Sequence, residues 1–210
     1  MNTIEQLRWR YATKKFDAVR KLGDDQVEML KEAFNLTALS FGLQPVKLVI
    51  VSDPDKREEL LPHAFDQKQV TEASHLLIFC IETVIDEEFI RSYFDKVKAV
   101  RNTSEEVLKP YRDFLIADFN KKTSEEIEAW AKNQAYLALG NLLTVCAMEK
   151  IDACPMEGFL PGKFDKVLGL GHEGLRSVLI MPVGYRAEDD VFSTMEKVRK
   201  EISESVIEIK

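Results

Sequence analysis

The sequence predicts helices packed on a β-sheet, an α+β or α/β sandwich. Three observations carry that prediction. Residues 46–52 (VKLVIVS), 75–81 (HLLIFCI) and 177–183 (SVLIMPV) are short aliphatic runs of the kind that form buried strands. Segments with an apolar period near 3.6 residues alternate with them. The 210-residue chain is 45% apolar, enough for a core of ordinary domain size, and is read as one domain over 1–210.

The elements follow in order. Residues 3–9 read as a short helix with Thr3 as its N-cap. A second helix opens at Asp24 or Asp25, carries Val27, Leu30, Ala33 and Phe34 on one face, and fades at Asn35. Gly42 and Pro45 mark 38–45 as a loop ahead of the first strand. Asp53-Pro54 starts a helix through Leu61, proline suiting a first turn. The strand at 75–81 is apolar on both faces and therefore central. Residues 86–119 form a charged helical excursion with a break near Asn102-Thr103. Thr123 and Glu126 make a capping box that opens a long helix ending near Lys150. Eleven of the fourteen residues 135–148 are apolar, so this half is expected to be buried on every side, in the core or at a subunit interface. The stretch is short of the ~18–20 residues that span a bilayer. Residues 153–159 read as a loop and 164–168 as a short helix. The polar remainder ends in a β-like run at 206–209, suited to pairing with the same sheet or a partner's.

Twenty-nine basic and 36 acidic residues give a net charge of −7, which disfavours general binding to nucleic acid or anionic membranes. Three cysteines without a C-x-x-C pair read as reduced, buried thiols. The polar first ten residues are no secretory signal, and a cytoplasmic protein is expected. No two histidines share helical spacing, no metal site is expected, and no G-x-S-x-G nucleophile motif occurs. Residues 169–174 match G-x-G-x-x-G, but they follow a helix and precede a strand. They therefore read as a helix-to-strand turn, because a dinucleotide fingerprint must open a helix.

Charge is uneven along the chain. The first 21 residues hold six basic side chains against two acidic ones, and Lys197, Arg199 and Lys200 cluster near the other end. Two such clusters suit convergence on one anion, such as a phosphate.

Several motifs occur in a familiar order. Arg10-Tyr11-Ala12-Thr13-Lys14-Lys15-Phe16-Asp17 resembles the R-x-S-T-K-x-F-D opening of the FMN-dependent nitroreductase family. Residues 40–45 (SFGLQP) resemble its S-x-x-x-Q-P loop. Ala73-Ser74-His75, the 155–159 run (PMEGF) and Lys197-Val198-Arg199 match as well. The resemblance spans nearly the whole chain and is nearest the oxygen-insensitive NAD(P)H nitroreductase and dihydropteridine reductase branch.

That resemblance implies an α+β fold with a mixed central sheet wrapped by helices. It also implies an intertwined homodimer with C-terminal strand exchange and a helical lid at about 86–120. By the same route, Arg10, Lys197 and Arg199 match residues that hold the FMN phosphate, with Tyr11 and Ala12 beside them. Lys14 matches the cation near flavin N1 and O2. Leu39 and Ser40 match contacts from the partner subunit. Asp66 and Gln69 match the pyrimidine edge, and Pro155, Met156, Glu157 and Gly158 the loop at N5 and O4. Lys14 and Glu157 are the catalytic candidates, and Phe41, Phe114 and Ile116 the substrate-side ones. Tyr11, Ala12, Leu39, Phe41, Gln69 and Ile116 depart from the common pattern, so substrate range is less transferable than FMN binding. The implied activity is ping-pong hydride transfer from NAD(P)H through FMN to small electrophiles such as nitroaromatics, quinones or pterins. A flavin store without turnover, or a dihydropteridine or flavin reductase with another acceptor, are the alternatives.

Overall fold

The computed structural model describes residues 2–210. Four strands form one sheet in the order β1-β2-β4-β3, with β1 Val46–Val51, β2 His75–Glu82, β3 Asp152–Ala153 and β4 Leu175–Gly184. All three strand pairings are antiparallel. Among the described residues, the parallel component implied by a mixed sheet is confined to a single bridge between Ala12 and Ala153.

β2 is central, as its apolar run predicts, and the alternation of its side chains divides the core in two. Leu77, Phe79 and Ile81 face one layer with Leu179, Met181 and Val183 of β4. Leu76, Ile78 and Cys80 face the other with Ile180. The first layer is closed by α2 (Asp24–Asn35), α5 (Glu87–Arg101), α6 (Glu105–Phe119) and α7 (Ser124–Met148). The second is closed by α3 (Pro54–Leu60) and α8 (Pro161–Leu168). An antiparallel strand covered on both faces needs no polar side, which explains the unbroken run.

Local signals set most boundaries. α1 spans Thr3–Trp9, but its N-cap is Asn2, whose Oδ1 accepts the Ile4 N–H at 3.0 Å; Thr3 lies inside the first turn. Asp53 caps α3 through the Lys56 N–H at 3.0 Å, with Pro54 in the first turn. Thr123 and Glu126 form the expected capping box of α7, at 3.2 and 2.8 Å. Asn102 ends α5 in the left-handed region at φ 51°, where the excursion was expected to break. Pro161 starts α8 three residues before the expected helix, because proline suits a first turn. Gly169 and Gly174, at φ 67° each, bracket the turn from α8 to β4, so the G-x-G-x-x-G letters are a helix-to-strand connection.

Other features depart from expectation. The 38–45 loop contains a 3-10 turn, Ser40–Gly42, and a further short helix, α4, spans Gln69–Glu72. The C-terminal run is not a strand in this chain. A one-turn helix, α9 (Ile202–Ser205), precedes it, and residues 206–210 are exposed. α7 is not buried on every side either. Ala131, Ala135, Ala138, Leu142 and Cys146 are buried, yet Tyr136 and Leu137 are 45% and 51% exposed. Asn141, the polar break in its apolar run, donates to Ala33 O at 3.0 Å and Thr37 Oγ1 at 2.9 Å, tying α7 to the end of α2. Among the described residues no helix is long and apolar enough to cross a membrane.

Candidate functional site

Residues 10–17 and 153–156 pack along the C-terminal half of β4 and the residues just after it. The 10–17 segment crosses that end through the Thr13 N–H to Ala153 O (3.3 Å) and the Asp17 N–H to Tyr185 O (2.8 Å). Residues 154–156 run beside β4, with Cys154 N–H donating to Pro182 O at 3.1 Å and Met156 exchanging bonds of 2.8 and 3.1 Å with Ile180. Met156 is thereby buried, and the chain turns out to present Glu157 and Gly158 to solvent. Neither the Glu157 nor the Gly158 N–H has an acceptor among the described residues.

Lys14 lies over this segment, its Nζ 3.9 Å from Cys154 Sγ. Burial pushes the Cys154 thiol up, while Lys14 and Arg10 oppose that shift. Arg10 is half-buried; burial and then Arg199 hold its guanidinium below its ordinary pKa. Burial, Arg10, Arg199 and Arg186 do the same to Lys197. Arg186 is neutralised by Asp152, at 2.6 Å. Among the described residues, no carboxylate lies within ion-pairing distance of Arg10, Lys14, Lys197 or Arg199. Cations that crowd one another without a counter-charge make an anion site. Arg10 from one end of the chain and Lys197 and Arg199 from the other lie close enough for Arg199 to lower the pKa of Arg10, and for both arginines to lower that of Lys197.

The turn after α3 joins the same neighbourhood. Gln67 Nε2 donates to Gly158 O at 2.7 Å and to Ala64 O at 3.0 Å, and Leu160 N–H donates to His63 O at 2.8 Å. Asp66 is exposed at φ 55° and Gln69 is buried. Two consecutive non-glycine residues at positive φ, Phe65 and Asp66, mark a strained turn of the sort found at binding sites.

The remaining candidates form a second group. The Ser40 N–H donates to Gln134 Oε1 at 2.9 Å. Phe41, at φ 59°, lies 6.1 Å from both Phe119 and Trp130. Leu39 packs against the main core. Phe114 is 59% exposed and stacks with Tyr111 at 6.3 Å, whereas Ile116 is only 8% exposed and belongs to the core; in this chain it presents no open face to a substrate. The two groups attach to different sides of α7. Gln134 holds the Ser40 turn, while the Tyr136 hydroxyl donates to Glu157 at 2.7 Å. Two residues apart on a helix is about 200° of rotation.

A model described as the nitroreductase family matches residues 7–185. The chain belongs to the nitroreductase family. It is 32% identical over 198 residues to YfkO of Bacillus subtilis (strain 168), a provisionally named NAD(P)H nitroreductase, covering 89% of each chain. It is 28% identical over 216 residues to the oxygen-insensitive NAD(P)H nitroreductase of Enterobacter cloacae, covering 99% of this chain and all of that one. Its fold matches a provisionally named nitroreductase of Exiguobacterium sibiricum 255-15 solved in complex with FMN. The TM-score is 0.84 at 16% identity, over 100% and 98% of the two chains.

Nitroreductase motifs alone did not reveal the residues that hold these groups together. Asp190, Gln67, Gln134 and Tyr136 each bond to a segment far away in sequence or to one without a recognisable motif. Tyr11, a cofactor candidate, has its hydroxyl committed to Asp190 at 2.8 Å. Ala12 contributes backbone through its bridge to Ala153.

Proposed function

We propose that this nitroreductase-family chain is an NAD(P)H-dependent FMN oxidoreductase that reduces small electrophiles, with each active site built from two copies of the chain. One observation carries the reading: Arg10, Lys197 and Arg199 are neighbours without a carboxylate partner among the described residues, and Lys14 reaches Cys154, three and four residues before the Glu157 and Gly158 N–H groups that have no acceptor there. A phosphate fits the three-cation side, and a polar ring edge fits the lysine and the amides. The names of the relatives support the same chemistry.

Bound FMN supplies hydride acceptance from NAD(P)H and hydride donation to a nitroaromatic, quinone or pterin. The chain's own residues bind, orient and stabilise. Arg10, Lys197 and Arg199 would neutralise the phosphate. Lys14 would favour negative charge at N1 and O2, being already unpaired and in place. The Glu157 and Gly158 amides would donate to N5 and O4, with Asp66 and Gln69 at the pyrimidine edge. Tyr136 holds the Glu157 side chain aside, which leaves the backbone as the working group.

The two-chain site rests on α7. A flavin on the Glu157 side of this helix lies away from Leu39, Ser40 and Phe41 of the same chain, so those residues would come from the partner. The exposed Tyr136 and Leu137 mark a face for the second copy. β1 is an edge strand, and a groove of about 650 Å³ lies between it and α2. Val206, Ile207 and Ile209, exposed in the single chain, would fill that groove on a partner if the C-terminal segments exchange. The α5–α6 pair, with Phe114 outward, would serve as the lid.

Mixing two defective chains tests the arrangement. One carries Arg10→Glu and the other Ser40→Trp. If sites are shared, the mixed dimer recovers one intact FMN site of two. If each site lies within one chain, mixing recovers none.

A further inference from the structure

We propose that Asp190 is the positioning residue of the cofactor-side cations. One buried carboxylate would fix the 11–15 segment, and with it Lys14, against the segment that carries Lys197 and Arg199. The inference rests on the FMN reading above and goes beyond it to a residue that no motif marks.

Asp190 is 3% exposed and follows β4, immediately before the turn Val191–Thr194. Its Oδ2 accepts from the Tyr11 hydroxyl at 2.8 Å, the Lys14 N–H at 3.0 Å and the Lys15 N–H at 3.2 Å. Its Oδ1 accepts the Phe192 N–H at 3.1 Å. One side chain therefore joins backbone from opposite ends of the chain. It does so without neutralising the cations. The Lys15 ammonium pairs with Asp189 instead, and the Lys14 ammonium has no carboxylate partner. Asp190 orders the peptide from which Lys14 projects and leaves its charge available.

Only a carboxylate meets this demand, because both oxygens must accept. An asparagine of equal size cannot. With its oxygen toward the loop, its NH₂ faces the Phe192 N–H. Reversed, the NH₂ faces Lys14 and Lys15. Either orientation sets donor against donor and costs at least one of the part-buried N–H groups its acceptor.

The test compares Asp190→Asn, Lys14→Met and the double variant by two readouts. The first is amide hydrogen exchange at Lys14 and Lys15. The second is the midpoint potential of bound flavin. In Asp190→Asn, exchange at the two amides should rise about tenfold or more as their acceptor is lost. The potential should fall toward that of Lys14→Met, and the double variant should match Lys14→Met alone, since nothing remains to be positioned. A wild-type potential in Asp190→Asn overturns the proposal, as do shifts that simply add in the double variant. If wild-type protein takes up no FMN, the functional reading fails separately. The exchange data still judge Asp190 in that case: unchanged protection at Lys14 and Lys15 overturns its role. Should Asp190→Asn not fold, Asp190→Glu carries the same comparison. It keeps both acceptor oxygens but sets them one methylene farther out, and the potential should shift part of the way; an unshifted potential overturns the role.

Discussion

Arg199 and Asp190 illustrate what individual residues contribute here. Arg199 is exposed and has no carboxylate partner among the described residues, and its charge lowers the pKa values of Arg10 and Lys197. Hydrogen bonds to charged groups are worth ~1.5–3 kcal/mol, so Arg199→Ala should weaken FMN binding by about 10- to 100-fold. Equilibrium dialysis checks this, and unchanged retention removes Arg199 from the proposed phosphate site. Asp190 predicts a pH dependence. Burial alone would raise its carboxyl. Hydrogen bonds from Tyr11 and from the Lys14, Phe192 and Lys15 amides outweigh that and hold it below the usual range. A carboxylate with a depressed folded pKa contributes stability that is present above its unfolded value, ~3.9, and lost as pH falls through the folded one. Acid unfolding of wild type should therefore be steeper than that of Asp190→Asn below about pH 4. Residue types of the proposed cofactor side were legible in the sequence because motifs carry them. Asp190 was not, because its meaning lies in donors 175 and more positions away.

At the scale of elements, periodicity and capping predicted most helices and the three long strands. β3 escaped notice because a two-residue strand carries no period. The 3-10 turn at Ser40–Gly42 escaped for a related reason: glycine and proline mark a turn without giving its geometry. Gly42 sits at φ 73°, and a Cβ there would lie 2.3 Å from Tyr93 Oη. Gly42→Ala should cost more than the ~1 kcal/mol of the conformational term alone, measured by chemical denaturation. α7 carries the sharpest lesson. Its composition called for burial all round, and one chain supplies only part of it. The outward Leu137 should tolerate aspartate without loss of the monomer fold, since its face is open in the single chain. If the proposed two-chain site holds, Leu137→Asp should nonetheless shift sedimentation from dimer to monomer and abolish FMN retention. A dimeric, flavin-loaded variant would show that α7 lies outside the interface.

The whole molecule is acidic, with a net charge of −7, while its proposed site is a cluster of cations from both ends of the chain. An average charge excludes classes of partner but does not describe a site. The cations also repel one another without an anion. FMN, or inorganic phosphate as a weaker probe, should therefore raise the melting temperature of flavin-free protein. Linkage gives about 2.7 kcal/mol at a ligand concentration 100 times Kd. The central claim is that the chain turns over electrons through bound flavin, and an anaerobic titration of purified, FMN-loaded protein with NADH or NADPH tests it most directly. The flavin absorbance should bleach with one pyridine nucleotide oxidised per flavin, and a nitroaromatic or quinone should restore it in equal amount. A bound flavin that neither nucleotide bleaches would contradict the account and leave a flavin carrier in its place.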